Sequence, residues 1–346
     1  MRTLSVAAVQ MDANPAPTAE RLARAETLAG EVAIAGARLV VLPELFNTGY
    51  AYSEENYSRA ERIDGPTAAW MRDNAARFGV HLAGTFLLQE QGDIYNALLL
   101  FAPDGRMWRY DKNYPWGWER GYFREPQAGP RTVVAETGLG DFGLLICWDV
   151  AHRDLWRRYA GRVDMMVVCS CPPQVADPTY HFPGGDRATA DDMGSTMAAL
   201  KGSGRKVFGD MLNQQAAWLG VPAVNTVGCG RIRTGIPNAR LSVLSYSLAA
   251  PWLLKYARQA DRMEMSCGFT RGCKVVDGRG RVLAELSQEE GEAFTLAEVT
   301  LPDRKRLPQE PQPGSPISPV AYFIADVWLT SLVRSTYRKR WRQVLA

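Results

Sequence analysis

The chain has 346 residues, 46% hydrophobic and 22% charged, a composition that excludes a disordered or collagen-like protein. A balance of 40 Lys+Arg against 37 Asp+Glu leaves a net charge of +3, too small for a whole-protein nucleic-acid binder, so no nucleic-acid partner is expected. The only histidines, His81, His152 and His181, argue against a histidine-rich metal site, and six cysteines without a C-x-x-C pair fit neither zinc-finger spacing nor a disulfide scaffold. Reduced thiols in a cytoplasmic protein are the expectation, and nucleophilic chemistry would fall to carboxylates, lysine and thiol.

In chain order, residues 4–9 form an apolar run that reaches Gln10 and Asp12, too short for a signal-peptide core and suited to a buried first strand. Residues 18–36 carry Ala, Leu and Arg at helical spacing and end near Gly36. Residues 39–42 are continuously apolar, as in a strand buried on both faces. Pro66–Phe78 reads as a helix and residues 80–86 as a strand. Residues 95–101 and 107–110 flank Pro103-Asp104-Gly105, a hairpin signal. The alternation then repeats, with strands at 142–146, 164–168 and 221–227 and helices at Arg153–Tyr159 and 207–219. A hairpin about Asp277-Gly278 joins Cys273–Val276 to residues 281–285, and a last strand covers 293–299. Helix–strand alternation with several hairpins predicts a layered α/β fold, a mixed sheet system with helices outside.

Three segments depart from this rhythm. Residues 174–206, rich in Gly, Pro, Asp and Ser, read as a long functional loop. Residues 236–268 hold an uncharged run at 241–254 broken by Pro251. Residues 302–319 hold six prolines, a linker composition. The chain therefore divides into a main domain at 1–300, with inserts near 174–206 and 236–268, and a C-terminal extension at 301–346.

Candidate chemistry stands at the ends of apolar runs, where loops carry functional groups. Glu44 follows residues 39–42, Lys112 and Glu119 follow the 107–110 run, and Cys147 ends the 142–146 run. Each alone has a plain reading: a solvated carboxylate, a solvated lysine, a core thiol. Together they are the types needed to attack a carbon–nitrogen bond. A base makes the thiolate, and a cation holds the oxyanion that forms when it adds. His152 lies five residues past Cys147 but would point along its helix, and no G-x-S-x-G elbow exists for a serine enzyme. Cys169 and Cys171 read as buried structural thiols.

Three ordered motifs, Leu42-Pro43-Glu44, Lys112 with Pro115, Glu119 and Arg120, and Ile146-Cys147-Trp148-Asp149, resemble those of the nitrilase, or carbon–nitrogen hydrolase, superfamily. The resemblance runs over about residues 4–300, with support from Gln215–Asn225 and from the 272–283 hairpin, where Cys273 takes the place of the usual Ser. It implies a four-layer αββα sandwich, commonly dimerised, that uses no cofactor and no metal. It implies Cys147 as nucleophile, Glu44 as general base, Lys112 with the Trp148 backbone N–H for the oxyanion, and Glu119 to orient the substrate nitrogen. Tyr114 stands where many members carry His, and Trp116 and Trp118 are candidates for the substrate pocket. The Lys112 segment looks closest to nitrilases, while Cys147-Trp148-Asp149 is more like amidases and N-acyltransferases, so amide hydrolysis leads, with nitrile hydrolysis and N-acyl transfer as alternatives. The implied partners are a small-molecule or acyl-amide substrate and a second copy of the chain.

The C-terminus raises a different reading. Val320, Phe323, Ile324, Val327 and Leu332 make a helical apolar stripe, followed by Arg334, Arg338, Lys339, Arg340 and Arg342 with no acidic residue. The run falls short of the roughly 20 residues a membrane span needs. It would suit an amphipathic helix lying on a membrane surface, over Val320 to Arg342, or one packed on the protein or across a dimer.

Overall fold

The computed structural model describes residues 2–194 and 200–345, with side chains as far as Trp341. The Arg342 side chain and residues 195–199, to which the surface-helix and long-loop expectations extend, lie outside the described residues.

The strands follow one another as β1 (Arg2–Asp12), β2 (Leu39–Val41), β3 (His81–Glu90), β4 (Asp93–Phe101), β5 (Met107–Asp111), β6 (Val134–Glu136), β7 (Asp141–Ile146) and β8 (Met165–Cys169). After them come β9 (Thr179–His181), β10 (Arg187–Thr189), β11 (Ala223–Asn225), β12 (Gly228–Cys229), β13 (Arg231–Gly235), β14 (Glu264–Gly268), β15 (Cys273–Val276), β16 (Val282–Leu286) and β17 (Ala293–Leu301). They form a seven-stranded sheet in the order β12-β1-β2-β3-β4-β5 with β17 antiparallel to β1, and a six-stranded sheet in the order β16-β15-β11-β8-β7-β6. The two sheets face one another.

Alternation along β1 shows how the layers are made. Leu4, Val6 and Ala8 join the core between the sheets, while Ala7, Val9 and Met11 join a second core beneath the helices. A strand buried on both faces needs apolar residues at every position, which is why 4–9 and 39–42 read as unbroken runs. Two helices, α1 (Thr18–Ile34) and α2 (Pro66–Phe78), cover the outer face of the first sheet through Leu22, Ala25, Ala29, Met71 and Ala75. Pro66 opens α2 and Gly79, at φ 66°, ends it in the left-handed conformation that glycine adopts without strain. On the far side lie α3 (Arg153–Tyr159) and α4 (residues 203–219), the latter with a π-helical stretch at Lys206–Met211. The expected αββα sandwich is present.

The reading of 174–206 as one long loop is corrected. Its described part supplies β9 and β10 to a third, four-stranded sheet, β10-β9-β14-β13. Three-residue strands bounded by Pro and Gly are too short to show a period of two. Within 236–268, the uncharged run becomes α5 (Ala239–Tyr246) and a 3₁₀ stretch at Pro251–Arg262, kinked at Gln259.

The Pro-rich stretch is held against the body: Arg153 donates to the Gln312 carbonyl at 2.9 Å, and Gln312 donates to Gln215 at 2.8 Å. Beyond it, α6 (residues 319–345) begins at the Ser318 cap and contains a second π-helical stretch, Phe323–Trp328. It buries Ile324, Leu329, Leu332, Val333, Tyr337 and Trp341 and leaves Val320, Phe323 and Val327 exposed. No helix among the described residues is long and apolar enough to cross a membrane.

Candidate active site

Glu44, Lys112 and Cys147 each follow the C-terminal end of a strand: β2 and β5 of the first sheet, and β7 of the second. The face-to-face packing of the sheets brings these ends together, so the four residues expected from sequence meet in one buried cluster. Lys112 Nζ lies 2.8 Å from Glu44 Oε1 and 2.6 Å from Glu119 Oε2. Glu44 also accepts from Asn96 Nδ2 at 2.7 Å and from the Cys171 backbone N–H at 3.1 Å, and the Cys147 thiol lies close enough to influence its charge. Glu119 accepts from Tyr50 Oη at 2.6 Å and from the Trp116 N–H at 2.7 Å.

These contacts set the protonation states. Burial pushes Glu44 above the usual carboxylate range, with Lys112 pulling the other way. Burial would lower Lys112, but Glu119 and Glu44 outweigh it and hold the ammonium charged. Burial, then the Glu44 charge, pushes the Cys147 thiol well up, against Lys112. The resting cluster is therefore a neutral thiol beside a carboxylate with raised proton affinity. A lysine ammonium bridges the two acids.

Backbone conformation aims these groups. Cys147 has φ 47° and Leu45, just after Glu44, has φ 53°, the left-handed region that non-glycine residues rarely enter. Leu45 N–H is fixed by Thr85 Oγ1 at 2.9 Å. The turn after Cys147 is fixed by buried Asp149, whose carboxylate accepts from Tyr110 Oη at 2.8 Å, Tyr114 N–H at 2.8 Å, Ile146 N–H at 3.3 Å and Asn113 N–H at 3.4 Å. The segment after Lys112 is thus tied to the segment carrying Cys147. Burial still pushes Asp149 up to about 7, against those donors.

A cavity of about 360 Å³ opens at Cys147 and Glu119. Trp116 and Trp148 line it; Tyr114 and Trp118 do not. Tyr114 instead stacks on His152 at 3.4 Å between ring centroids, and Trp118 lies buried edge-on to Tyr52 and Trp116. Burial lowers His152 to about 3, so the ring is neutral near Asp326. It faces Tyr114, Trp148 and Tyr322 rather than joining the cluster.

Sequence reasoning missed Tyr50, Asn96 and the Cys171 N–H. It also missed the third wall of the cavity, Ala321, Ile324 and Ala325 of α6. Asp326 of the same helix accepts from Trp148 Nε1 at 2.9 Å, tying α6 to the residue after Cys147. Asn96 carried a usable signal, being the one polar residue in the apolar run 95–101 apart from Tyr95. Among the described residues no group of His, Cys, Asp and Glu could hold a metal ion.

Known proteins share both sequence and fold with this chain. A nitrilase of Pyrococcus abyssi is 35% identical over 151 residues, 42% of this chain and 56% of its own length. The omega-amidase NIT2 of Danio rerio is 32% identical over 162 residues, 43% of this chain and 57% of its own. The chain thus spans little more than half the length of these curated relatives. An amidase from Nesterenkonia sp. superposes with a TM-score of 0.60 at 20% identity, over 87% of this chain and 91% of that one. Nit3 of Saccharomyces cerevisiae, a nitrilase-superfamily member, gives 0.59 at 20% identity over 86% and 90%. Residues 5–309 match the carbon-nitrogen hydrolase family as a whole, and with the buried cluster of Glu44, Lys112, Glu119 and Cys147 at the strand ends, the chain belongs to that family.

Proposed function

We propose that the protein hydrolyses amides through a thioester on Cys147. The observation that carries this reading is the Lys112 ammonium bridging Glu44 and Glu119 beside the buried Cys147 thiol. The thiol proton passes to Glu44 as Sγ adds to the carbonyl carbon. The oxyanion is held by Lys112 and the Trp148 N–H. The carbon–nitrogen bond then breaks, the proton moves from Glu44 to the leaving nitrogen, and the acyl group remains on sulfur. Water next attacks the thioester and gives one proton to Glu44; the carbon–sulfur bond breaks, the acid leaves, and Glu44 returns the proton to Sγ to restore the thiol. Glu119 orients the nitrogen, itself held by Tyr50 and Trp116. In a fold relative, a Glu-to-Leu mutant of an amidase from Nesterenkonia sp. AN1, the acetamide moiety of fluoroacetamide adds covalently at the active-site cysteine, which supports a nucleophilic thiol at this position.

The test is ammonia release from primary amides together with intact-mass detection of an acyl adduct. The wild-type chain quenched during turnover is expected to carry the adduct at Cys147. Turnover unaffected by Cys147→Ala would overturn the mechanism, and turnover of nitriles alone would replace the amide reading.

A surface role rests on a separate observation. Leu241 and Leu244 on α5, Leu248 in the turn after it, and Trp252 and Leu254 on the following 3₁₀ stretch are exposed, with Phe323 and Val327 exposed on α6, which α5 contacts. Arg240, Lys255, Arg258 and Arg262 stand exposed among them. Apolar and aromatic side chains flanked by cations match an anionic lipid surface. Flotation with anionic liposomes is expected to carry the wild-type chain and to lose the Trp252→Asp, Phe323→Asp variant; a wild-type chain left in solution at low salt ends this part of the proposal.

A further inference from the structure

We infer that the site is built for primary amides whose acyl group is large and apolar, with its size limit set by α6. This rests on the amide reading above and adds the substrate class. The cavity of about 360 Å³ lies within the range of about 300–1,000 Å³ found for pockets that enclose drug-sized ligands. A molecule the size of acetamide would leave most of that space to water. Its walls are aromatic and aliphatic, with Trp116, Trp148, Val175, Leu200, Phe208 and Ile324 prominent among them.

The polar groups are sorted to its two ends. Cys147 and Glu119 are buried and mark the closed end. Gln174, Asp177, Arg205 and Arg271 are exposed and mark the mouth. At the closed end Glu119 is held in place by Lys112, Tyr50 and Trp116, and the buried space beside it is where a small amide nitrogen would sit. The carbonyl substituent is left with the apolar length of the cavity, where desolvation favours hydrocarbon.

Two of the walls are π-helical. Lys206–Met211 presents Phe208, and Phe323–Trp328 presents Ile324 and Ala325. Such turns are rare and recur at functional sites. On α6 the wall is Ala321, Ile324 and Ala325, so two of three positions carry only a methyl group where a longer side chain would fill the cavity.

The experiment measures kcat/KM for ammonia release from acetamide, butanamide, hexanamide and phenylacetamide with the full chain. Burial of each added methylene is worth up to about fourfold in kcat/KM, so the four that separate hexanamide from acetamide allow up to about 250-fold, and a preference of more than about tenfold is the expected result. Ala325→Leu is expected to cut the hexanamide-to-acetamide ratio at least tenfold, and Ile324→Ala to move the optimum to longer chains. A flat or falling profile with measurable acetamide turnover overturns the inference and leaves amide hydrolysis standing. A wild-type preference for long chains that neither variant shifts removes α6 from it. Turnover of none of these amides overturns both this inference and the reading beneath it.

Discussion

At the scale of single residues, Glu44 and Cys147 are both kept from their ordinary ionisation by burial, and Lys112 is the largest influence favouring their charged forms. Glu44 is useful as a base only while deprotonated. Because burial raises its proton affinity, that form is lost on acidification at a pH above the ordinary glutamate value. The acid limb of kcat/KM is therefore expected above the usual glutamate range, and to be absent from the residual activity of Glu44→Gln. That variant should retain about 10⁻²–10⁻⁴ of wild-type kcat/KM, the usual worth of a positioned base. Asp149 allows a sharper test. Its two oxygens both receive backbone N–H groups, Tyr114 on Oδ1 and Ile146 and Asn113 on Oδ2. An Asn amide in either orientation turns its NH₂ against at least one of these donors. Asp149→Asn is thus expected to cost about 1–3 kcal/mol in urea unfolding, the worth of a buried unsatisfied donor, and to lower kcat as the turn at Cys147 loosens.

At the scale of elements, what was legible in the sequence followed from burial on both faces. Residues 39–42 and 142–146 announced themselves as strands because no polar residue could be tolerated in their interiors, whereas 107–110, which carries Arg109 and is only partly buried, was legible from the Pro103-Asp104-Gly105 hairpin signal. Glu44, the first charged residue past 39–42, and the thiol of Cys147 stood out for the same reason, while Lys112 stood out only as a cation beside the strand end, one residue after Asp111. Glu119 could be singled out as a carboxylate following 107–110, but its role was legible only through the family resemblance, since it lies on a 3₁₀ turn, Gly117–Gly121, with no periodicity of its own. The third sheet was hidden because its partners are far apart in sequence, Thr179 opposite Ser266 and Arg231 opposite Gly268. The helix at the C-terminus was legible from its apolar stripe; the surface that receives it was not. That surface includes Gly117, at φ 30°, where an added Cβ would lie 2.9 Å from Leu329 Cβ and 3.3 Å from the Ala325 carbonyl. Gly117→Ala should therefore displace α6 at the point where it borders the cavity. Lower kcat/KM with an unchanged acid limb is the expected outcome, read from a pH–rate series, because Glu44 is not touched.

At the scale of the whole molecule, the site is a junction of three bodies. The first sheet brings Glu44 and Lys112, the second brings Cys147 and the Cys171 N–H, and α6 closes the cavity and holds Trp148 through Asp326. A detachable C-terminal extension and an integral wall make opposite predictions here. Removing residues 319–346 would uncover the partners of Leu329, Leu332, Val333 and Trp341, all buried. Each buried aliphatic side chain is worth about 1.5–3 kcal/mol, so the loss is several kcal/mol, roughly 10 °C or more in Tm for a chain of this size. It would also free the Trp148 indole and open the cavity to water beside the thioester. The truncated chain is expected to melt earlier, to lose its preference for apolar acyl groups, and to lose more kcat/KM on hexanamide than on acetamide. A truncated chain with the Tm and amide profile of the full chain would show instead that α6 is an appendage and that the two sheets alone complete the site.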